Sequence, residues 1–471
     1  MHTKAYTKMA AYTKTASVMA LALAMSGLAA CSTLNRLNPL AKEDAPESVA
    51  TQGERISIVA FDQKIAPSES LAGIDFYIPE AKTVASWPRA GGPEGAEIDH
   101  VDAAKDFKVA WTKSIGEKSK GLSQVLAPPV SDGKLIYVMD GQAHVSAFDV
   151  NSGERVWAQD LNPDIKRDKD AFGGGLALSG DKLFVTSGYR LVVALNAQTG
   201  AKEWEKTLES PAHAAPVYNA KYVFVTDVDN QLMAFDTATG DPMWTYQAIV
   251  EPARILKSSS PVVGGNVLYA PFSSGELIAL DTNTGSPVWQ QVLARTSRTN
   301  ALSEIRDISG HPVVYRNEVF AASHSGVFAA MDLKTGQPRW TVAADSINTP
   351  LPAGDVVYLA TVQGELMAVN RDSGQVYWLA DLNEGEAKTK KSFFGLGKEK
   401  KIGIRTVWTG PILASGRLIL VNSDGKAVAF DPKTGKKTEE LKIDGAAFIA
   451  PVPVGDKLFV VTNDAKLVAI Q

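Results

Sequence analysis

Ala234-Phe235-Asp236-Thr237-Ala238-Thr239-Gly240-Asp241-Pro242-Met243-Trp244 decides how this 471-residue chain is read. An acid is followed by Thr three residues on, by Gly at four and by Trp at eight. The same unit returns as Asp149…Gly153…Trp157, Asn196…Gly200…Trp204, Asp281…Gly285…Trp289, Asp332…Gly336…Trp340 and Asn370…Gly374…Trp378. A seventh copy, Asp431…Gly435, carries Glu439 where Trp belongs. The chemistry of the unit is that of a tight turn. Gly supplies a positive φ, and the Asp or Asn side chain accepts amide hydrogens across the bend. The Trp that follows offers a large flat surface for packing between neighbouring sheets.

Upstream of each anchor acid or amide the chain is equally regular. Six copies place a proline 20 residues before it (Pro129, Pro216, Pro261, Pro312, Pro350 and Pro411), and Leu176 takes that place in the second copy. Between proline and anchor run two alternating apolar segments, such as Lys134–Met139 and His144–Phe148, split by Asp140-Gly141. Alternation at period two around a tight turn predicts a hairpin. Each repeat therefore supplies about four short strands, one blade of a propeller. A last half-repeat opens at Pro451 and stops at Gln471, without its fourth strand. The segment Phe107–Trp111 has a Trp but no anchor before it, and is the spare strand. Joining the two predicts an all-β, eight-bladed β-propeller over residues 107–471, with four-stranded antiparallel blades closed by pairing of the N- and C-terminal strands. Closure removes the free edges of an open array. Seven of the nine tryptophans then occupy one structural position.

The amino-terminal part is of another kind. Lys4, Lys8 and Lys14 precede the apolar stretch Ala16–Ala24, and small residues lead to Leu28-Ala29-Ala30-Cys31. This resembles a bacterial lipobox, so residues 1–30 are expected to be a lipoprotein signal peptide and Cys31 the lipidated residue. Ser32 follows, and by resemblance to lipoprotein sorting rules this favours the outer membrane, on its periplasmic side. Residues 31–55, polar and with Pro39 and Pro46, read as a lipidated N-terminus and flexible tether. Residues 56–106 read as an extension lying along the propeller, with Ile56–Phe61 a candidate strand. The net charge is −4, which argues against nucleic acid as a partner. With one cysteine in the chain there is no intrachain disulfide and no cysteine-based metal cluster.

The Ala-x-Asp-x-x-Thr-Gly-x-x-x-Trp unit resembles the repeat of quinoprotein-type propellers. Together with the lipobox and the eight-blade count, the chain is similar to the BamB family, lipoproteins of the outer-membrane β-barrel assembly machinery. That resemblance implies a non-catalytic periplasmic scaffold. It would bind the POTRA domains of a BamA-like barrel protein and help nascent outer-membrane proteins to fold and insert. In the family two neighbouring inter-blade loops carry the contact. The first has a Leu-x-Leu-Arg run; here Arg254-Ile255-Leu256-Lys257 stands before Ser260-Pro261, so Leu256 and Lys257 match and Arg254 replaces the first Leu. The second has Asp-x-Asp; here Asp307, beside Arg306, matches the first and Ser309 replaces the second. The expected partner-binding residues are thus Ile255, Leu256, Lys257, Arg306 and Asp307.

Other functions leave weaker traces. By the same resemblance, a PQQ-dependent oxidoreductase, the main alternative, would need a quinone pocket, a calcium site and a catalytic Asp. Its familiar members carry a vicinal disulfide that one cysteine cannot form. Nearly every recurrent Asp here is accounted for by the turn unit, and clustered carboxylates for calcium are not evident. His2, His100, His144, His213, His311 and His324 show no metal-ligand spacing, and no Gly-x-Ser-x-Gly elbow occurs. Gly173-Gly174-Gly175 lacks the Lys-Ser/Thr and helix of a phosphate loop and reads as a loop at a blade junction. No cofactor is expected. A propeller that binds another cell-envelope partner is the third reading. An insertion before the seventh repeat holds Lys388, Lys390, Lys391, Lys398, Lys400 and Lys401 around Phe393-Phe394. It reads as a solvated loop, with contact to an anionic surface as the alternative.

Overall fold

Four-residue Asp/Asn-to-Gly turns connect the third and fourth strands of seven blades, each built by the same local bonds. At Asp236, one carboxylate oxygen accepts the amides of Ala238 and Thr239 at 2.8 and 3.0 Å, and the Gly240 amide returns to the Asp236 carbonyl at 2.9 Å. The seven turn glycines have φ of +67 to +74°, a region costly for any residue with a Cβ.

The computed structural model describes residues 65–93, 99–121, 123–163, 172–251, 255, 259–294, 305–384 and 405–471, and the backbone of 389–390 and 400–401. All of them belong to one unit, Gln63–Gln471. Eight four-stranded antiparallel sheets follow one another. Seven run in chain order, from Val130–Ser131 through Arg155–Asp160 in blade 1 to Trp408–Ala414 through Lys437–Lys442 in blade 7. The eighth is composite. Val452–Val454, Lys457–Thr462 and Lys466–Ile470 are completed by Val109–Ser114, which pairs Trp111 with Ala469 and Ser114 with Lys466. The closure strand starts two residues later than Phe107, because Phe107 itself sits at φ +45° and turns inward.

Eight buried clusters hold the ring, one between each pair of consecutive blades. Tyr137 and Leu183 share one cluster, from blades 1 and 2, and Val421 and Val460 another, from blades 7 and 8. The cluster of Ile136 and Phe459 joins blade 8 back to blade 1. Strands buried on both faces explain the near-continuous apolar runs of the middle strands, such as Val356–Ala360.

The tryptophans do more than fill these clusters. Each indole lies under the turn glycine of the following blade: a Cβ on Gly153, Gly200, Gly240, Gly285, Gly336, Gly374 or Gly435 would fall 2.5–2.9 Å from atoms of the preceding Trp. Each indole N–H also donates to a carbonyl of that same turn or its flank, at 2.5–3.3 Å, as Trp204 does to Thr237. Glycine is needed twice over, for φ and for clearance.

The chain before Val109 runs across the turns between first and second strands. Trp87 exchanges amide bonds with Ser131, the Pro88 carbonyl accepts from Leu178, the Val84 carbonyl from Gly455 and the Tyr77 carbonyl from Asp355. Asp99 accepts the Tyr315 hydroxyl at 3.1 Å. Blades far apart in sequence are thereby tied to one strap. Trp87, Arg89 and Asp99 of this strap, with residues of the first strands of blades 2 to 8 and Leu126 and Pro128 leading into blade 1, line an axial cavity of about 600 Å³. The opening prolines find their place here: Pro261, Pro312, Pro350 and Pro411 line that cavity at or before the first strand, where a missing amide hydrogen is tolerated. Gly174 and Gly175 begin the first strand of blade 2, Gly174–Ser179, and are not a loop. A Cβ on Gly175 would collide with Ala215 of blade 3.

Candidate functional site

The connections into and out of blade 4 are the two loops that the sequence singles out. The first leaves the outer strand of blade 3, Pro242–Gln247, and enters Val262–Gly264. The second leaves Pro287–Val292 and enters Val313–Tyr315 of blade 5. Although about fifty positions apart in sequence, they are fastened to each other at several points among the described residues. The Ser259 hydroxyl donates to the Gly310 carbonyl at 2.9 Å, and His311 Nδ1 lies 2.9 Å from the Ser260 carbonyl. Farther out, the Ile255 amide donates to Asp307 Oδ2 at 3.1 Å, and Arg306 Nη1 stands 4.0 Å from Glu251 Oε1.

Of the expected residues, then, Ile255, Arg306 and Asp307 are brought together. Leu256 and Lys257 lie outside the described residues, as do Cys31, the candidate strand Ile56–Phe61 and most of the Lys-rich insertion. Of that insertion, Thr389–Lys390 and Lys400–Lys401 pair as two short strands.

Asp307 is not a solvated charge. It is 5% exposed, and its backbone carbonyl also accepts the His324 amide at 2.8 Å. A buried carboxylate bonded to a backbone amide sets the path of the loop opposite, so its chemistry is positional. Arg306 is half-exposed, and its pairing with Glu251 at that distance is a solvent-screened tether between the loops. Ser309, at the place of the second family Asp, is buried, and its hydroxyl makes no hydrogen bond.

Beside this pair of loops lies apolar surface that the sequence reading missed. Ile249 and Val250, at the start of the first loop, are 60% and 54% exposed. Nothing in the repeat marks them, since they follow the last periodic position. Their signal is that two β-branched residues follow the strand Pro242–Gln247 where most sister blades have turned polar.

Among the described residues no group of three or more His, Cys, Asp or Glu side chains is placed to hold a metal ion, and no helix is long and apolar enough to cross a membrane. The axial cavity is walled largely by proline, aliphatic and backbone groups, with Arg89 and Asp99 of the strap as its buried charges.

Residues 141–380 match the family model described as outer membrane protein assembly factor BamB. A protein of that name from Shewanella oneidensis is 24% identical over 382 residues, covering 80% of this chain and 91% of its own. The crystal structure of BamB from Moraxella catarrhalis superposes with a TM-score of 0.62 at 20% identity, covering 76% of this chain and 99% of that one. Quinohemoprotein alcohol dehydrogenase from Comamonas testosteroni gives a TM-score of 0.60 at 16% identity, over 81% of this chain and 77% of its own. At these identities the two solved structures speak to the fold.

Proposed function

The chain belongs to the family of outer membrane protein assembly factor BamB, and from that premise we propose that it is a non-catalytic scaffold of outer-membrane protein assembly. It is held at the periplasmic face of the outer membrane by lipid on Cys31. It docks on the POTRA domains of a BamA-like barrel protein and aids the folding and insertion of nascent outer-membrane proteins. The observation that carries this reading is the fastening of the two loops that flank blade 4. Asp307 holds the Ile255 backbone, and Arg306 faces Glu251, so Ile255 and Arg306 stand on two loops already fastened to each other. An aliphatic residue beside charged ones suits a specific contact between folded domains.

A photocrosslinking residue placed at Leu256 or Arg306 in intact envelopes is expected to capture a large outer-membrane barrel protein. Asp307→Ala, which frees the Ile255 amide, should weaken that capture about tenfold while the propeller stays folded. Capture at neither position would remove the docking assignment. The oxidoreductase reading rests on the shared fold with the alcohol dehydrogenase. Mixing the purified protein with pyrroloquinoline quinone and Ca²⁺ should give no dye reduction, and a signal would reinstate it.

A further inference from the structure

Blade 8 is assembled from both ends of the chain, and the segment after its closing strand has to cross into blade 1. Residues 115–119 make that crossing over the turns between the second and third strands of both blades. The Ile115 and Ser119 amides donate to the Ala465 and Asn463 carbonyls of blade 8 at 2.9 and 2.8 Å. Between them, the Glu117 amide donates to Asp140 Oδ2 of blade 1 at 2.7 Å. Gly116 lets the backbone come this near, since a Cβ there would lie 2.2 Å from the same oxygen. The Asp140 side chain is fully enclosed, and Oδ2 has a second neighbour. Nδ1 of His144, which opens the third strand of blade 1, stands 2.8 Å from it. Across the imidazole, Nε2 lies 3.4 Å from Oδ1 of Asp160, at the end of the fourth strand. In blades 3 and 7, Asp227 and Asn422 open the corresponding turn and bind the amides two and four residues on, as Asp140 does. There Gln231 and Lys426 stand in the place of His144.

A neutral imidazole has one proton to offer two carboxylates. With that proton on Nδ1 it serves Asp140, and the Nε2 lone pair then faces a carboxylate oxygen that repels it. A second proton turns the contact with Asp160 into a charge-assisted bridge. We propose that His144 is a pH-sensitive latch on the closing seam of the ring. As the imidazolium it joins Asp140 to Asp160, steadies the carboxylate that holds Glu117, and so ties the crossing segment to blade 1 more firmly in acid. Among the described residues the charged groups acting on His144 are all acidic: Asp140 on the turn, Asp160 on the outer strand and Glu117 on the crossing segment. Burial draws the pKa of His144 down, but the hydrogen bond to Asp140 and these three charges outweigh it, and the net shift is upward. A folded-state value above the unfolded one fixes the sign. The stabilisation is complete below the ordinary histidine value of 6.5 and is lost as pH rises through the folded value. The latch belongs to blades 8 and 1 and does not rest on the docking reading.

The full mature protein, isotope-labelled at its histidines, gives the titration of each imidazole by NMR, and the His144 signal is the one missing from His144→Gln. Its midpoint is expected above that of free histidine, about 6.5, and a midpoint at or below that value overturns the proposal. Hydrogen exchange at the Glu117 amide, corrected for the intrinsic pH dependence of exchange, reads the seam itself. Protection in the wild-type protein should be severalfold higher at about pH 6 than at about pH 8.5. The difference should vanish in His144→Gln and shrink in Asp160→Asn. The turn at residues 422–426 of blade 7, which has no histidine, should show none. Equal protection of Glu117 at the two pH values, or a pH dependence that survives either substitution undiminished, overturns the proposal. So does an equal difference at the blade 7 turn, because the effect would then be global. Thermal unfolding serves as the control for folding. The Asp160 side chain is 62% exposed and can be replaced without disturbing the core, so Asp160→Asn keeps the test decisive even where His144→Gln folds poorly.

Discussion

Seven blade-to-blade seams share one device, and the seam between blades 7 and 8 uses another. In the seven, a Trp from one blade lies beneath the turn glycine of the next and donates its N–H to a carbonyl there. At the eighth, Glu439 replaces Trp, and the reason lies in the blade that follows. Blade 8 ends at Ile470 and receives its outer strand from the other end of the chain, so it has no Asp-to-Gly turn for an indole to meet. The strap fills the gap instead. Val101, Ala103, Ala104 and Phe107 enter the cluster shared by blades 7 and 8. Arg417 donates to the carbonyls of Ala104 and Lys105 at 2.6 and 3.0 Å, and lies over the Phe107 ring. The Val101 amide binds Leu413, and the Ser415 amide returns to Val101. What looked like a lapse in the repeat is a position whose partner does not exist. The tryptophan belongs energetically to the next blade's turn rather than to its own sheet.

If the seams differ in this way, substitutions should divide accordingly. The largest loss is expected for Trp204→Ala, which empties a buried seat and removes an indole donor: about 3–5 kcal/mol of unfolding free energy, read from urea denaturation. A loss under about 1 kcal/mol would show that the indole is incidental to the seam. Arg417→Met tests the other device. It leaves two strap carbonyls without their donor and should cost about 1–3 kcal/mol, with faster amide exchange at Ala104 and Val101 reporting that the strap has loosened. Unchanged exchange there would mean that the strap is held by its backbone pairing alone. The smallest effect is expected where the periodic pattern alone would forecast a gain. Glu439→Trp restores the repeat, yet there is no turn to receive the ring, and only the surface pair of Glu439 with Arg417 is lost. A change within about 1 kcal/mol is expected. A clear stabilisation would mean that the indole acts within its own sheet, and the contrast between seams would fail.

The same contrast marks the boundary of what could be read beforehand. Blade number, the four-strand plan and the closure of blade 8 by the segment around Trp111 were legible because turn chemistry is local and repeats. The two loops beside blade 4 were legible by position through their family resemblance, but their mutual fastening was not. The bond from Ile255 to Asp307 joins backbone to side chain across 52 positions, and no periodicity records it.

By itself, then, the sequence determined the blade: a proline at the entrance, two alternating strands about a turn, an Asp or Asn with its glycine, and a tryptophan. Those features depend on neighbours a few residues apart, where φ preference and side-chain-to-amide bonding decide the outcome. Only the tertiary structure decided that Asp307 is buried and that the strap replaces the missing tryptophan. Each of these depends on which distant groups share the same space, and a ring brings together residues that no local rule connects.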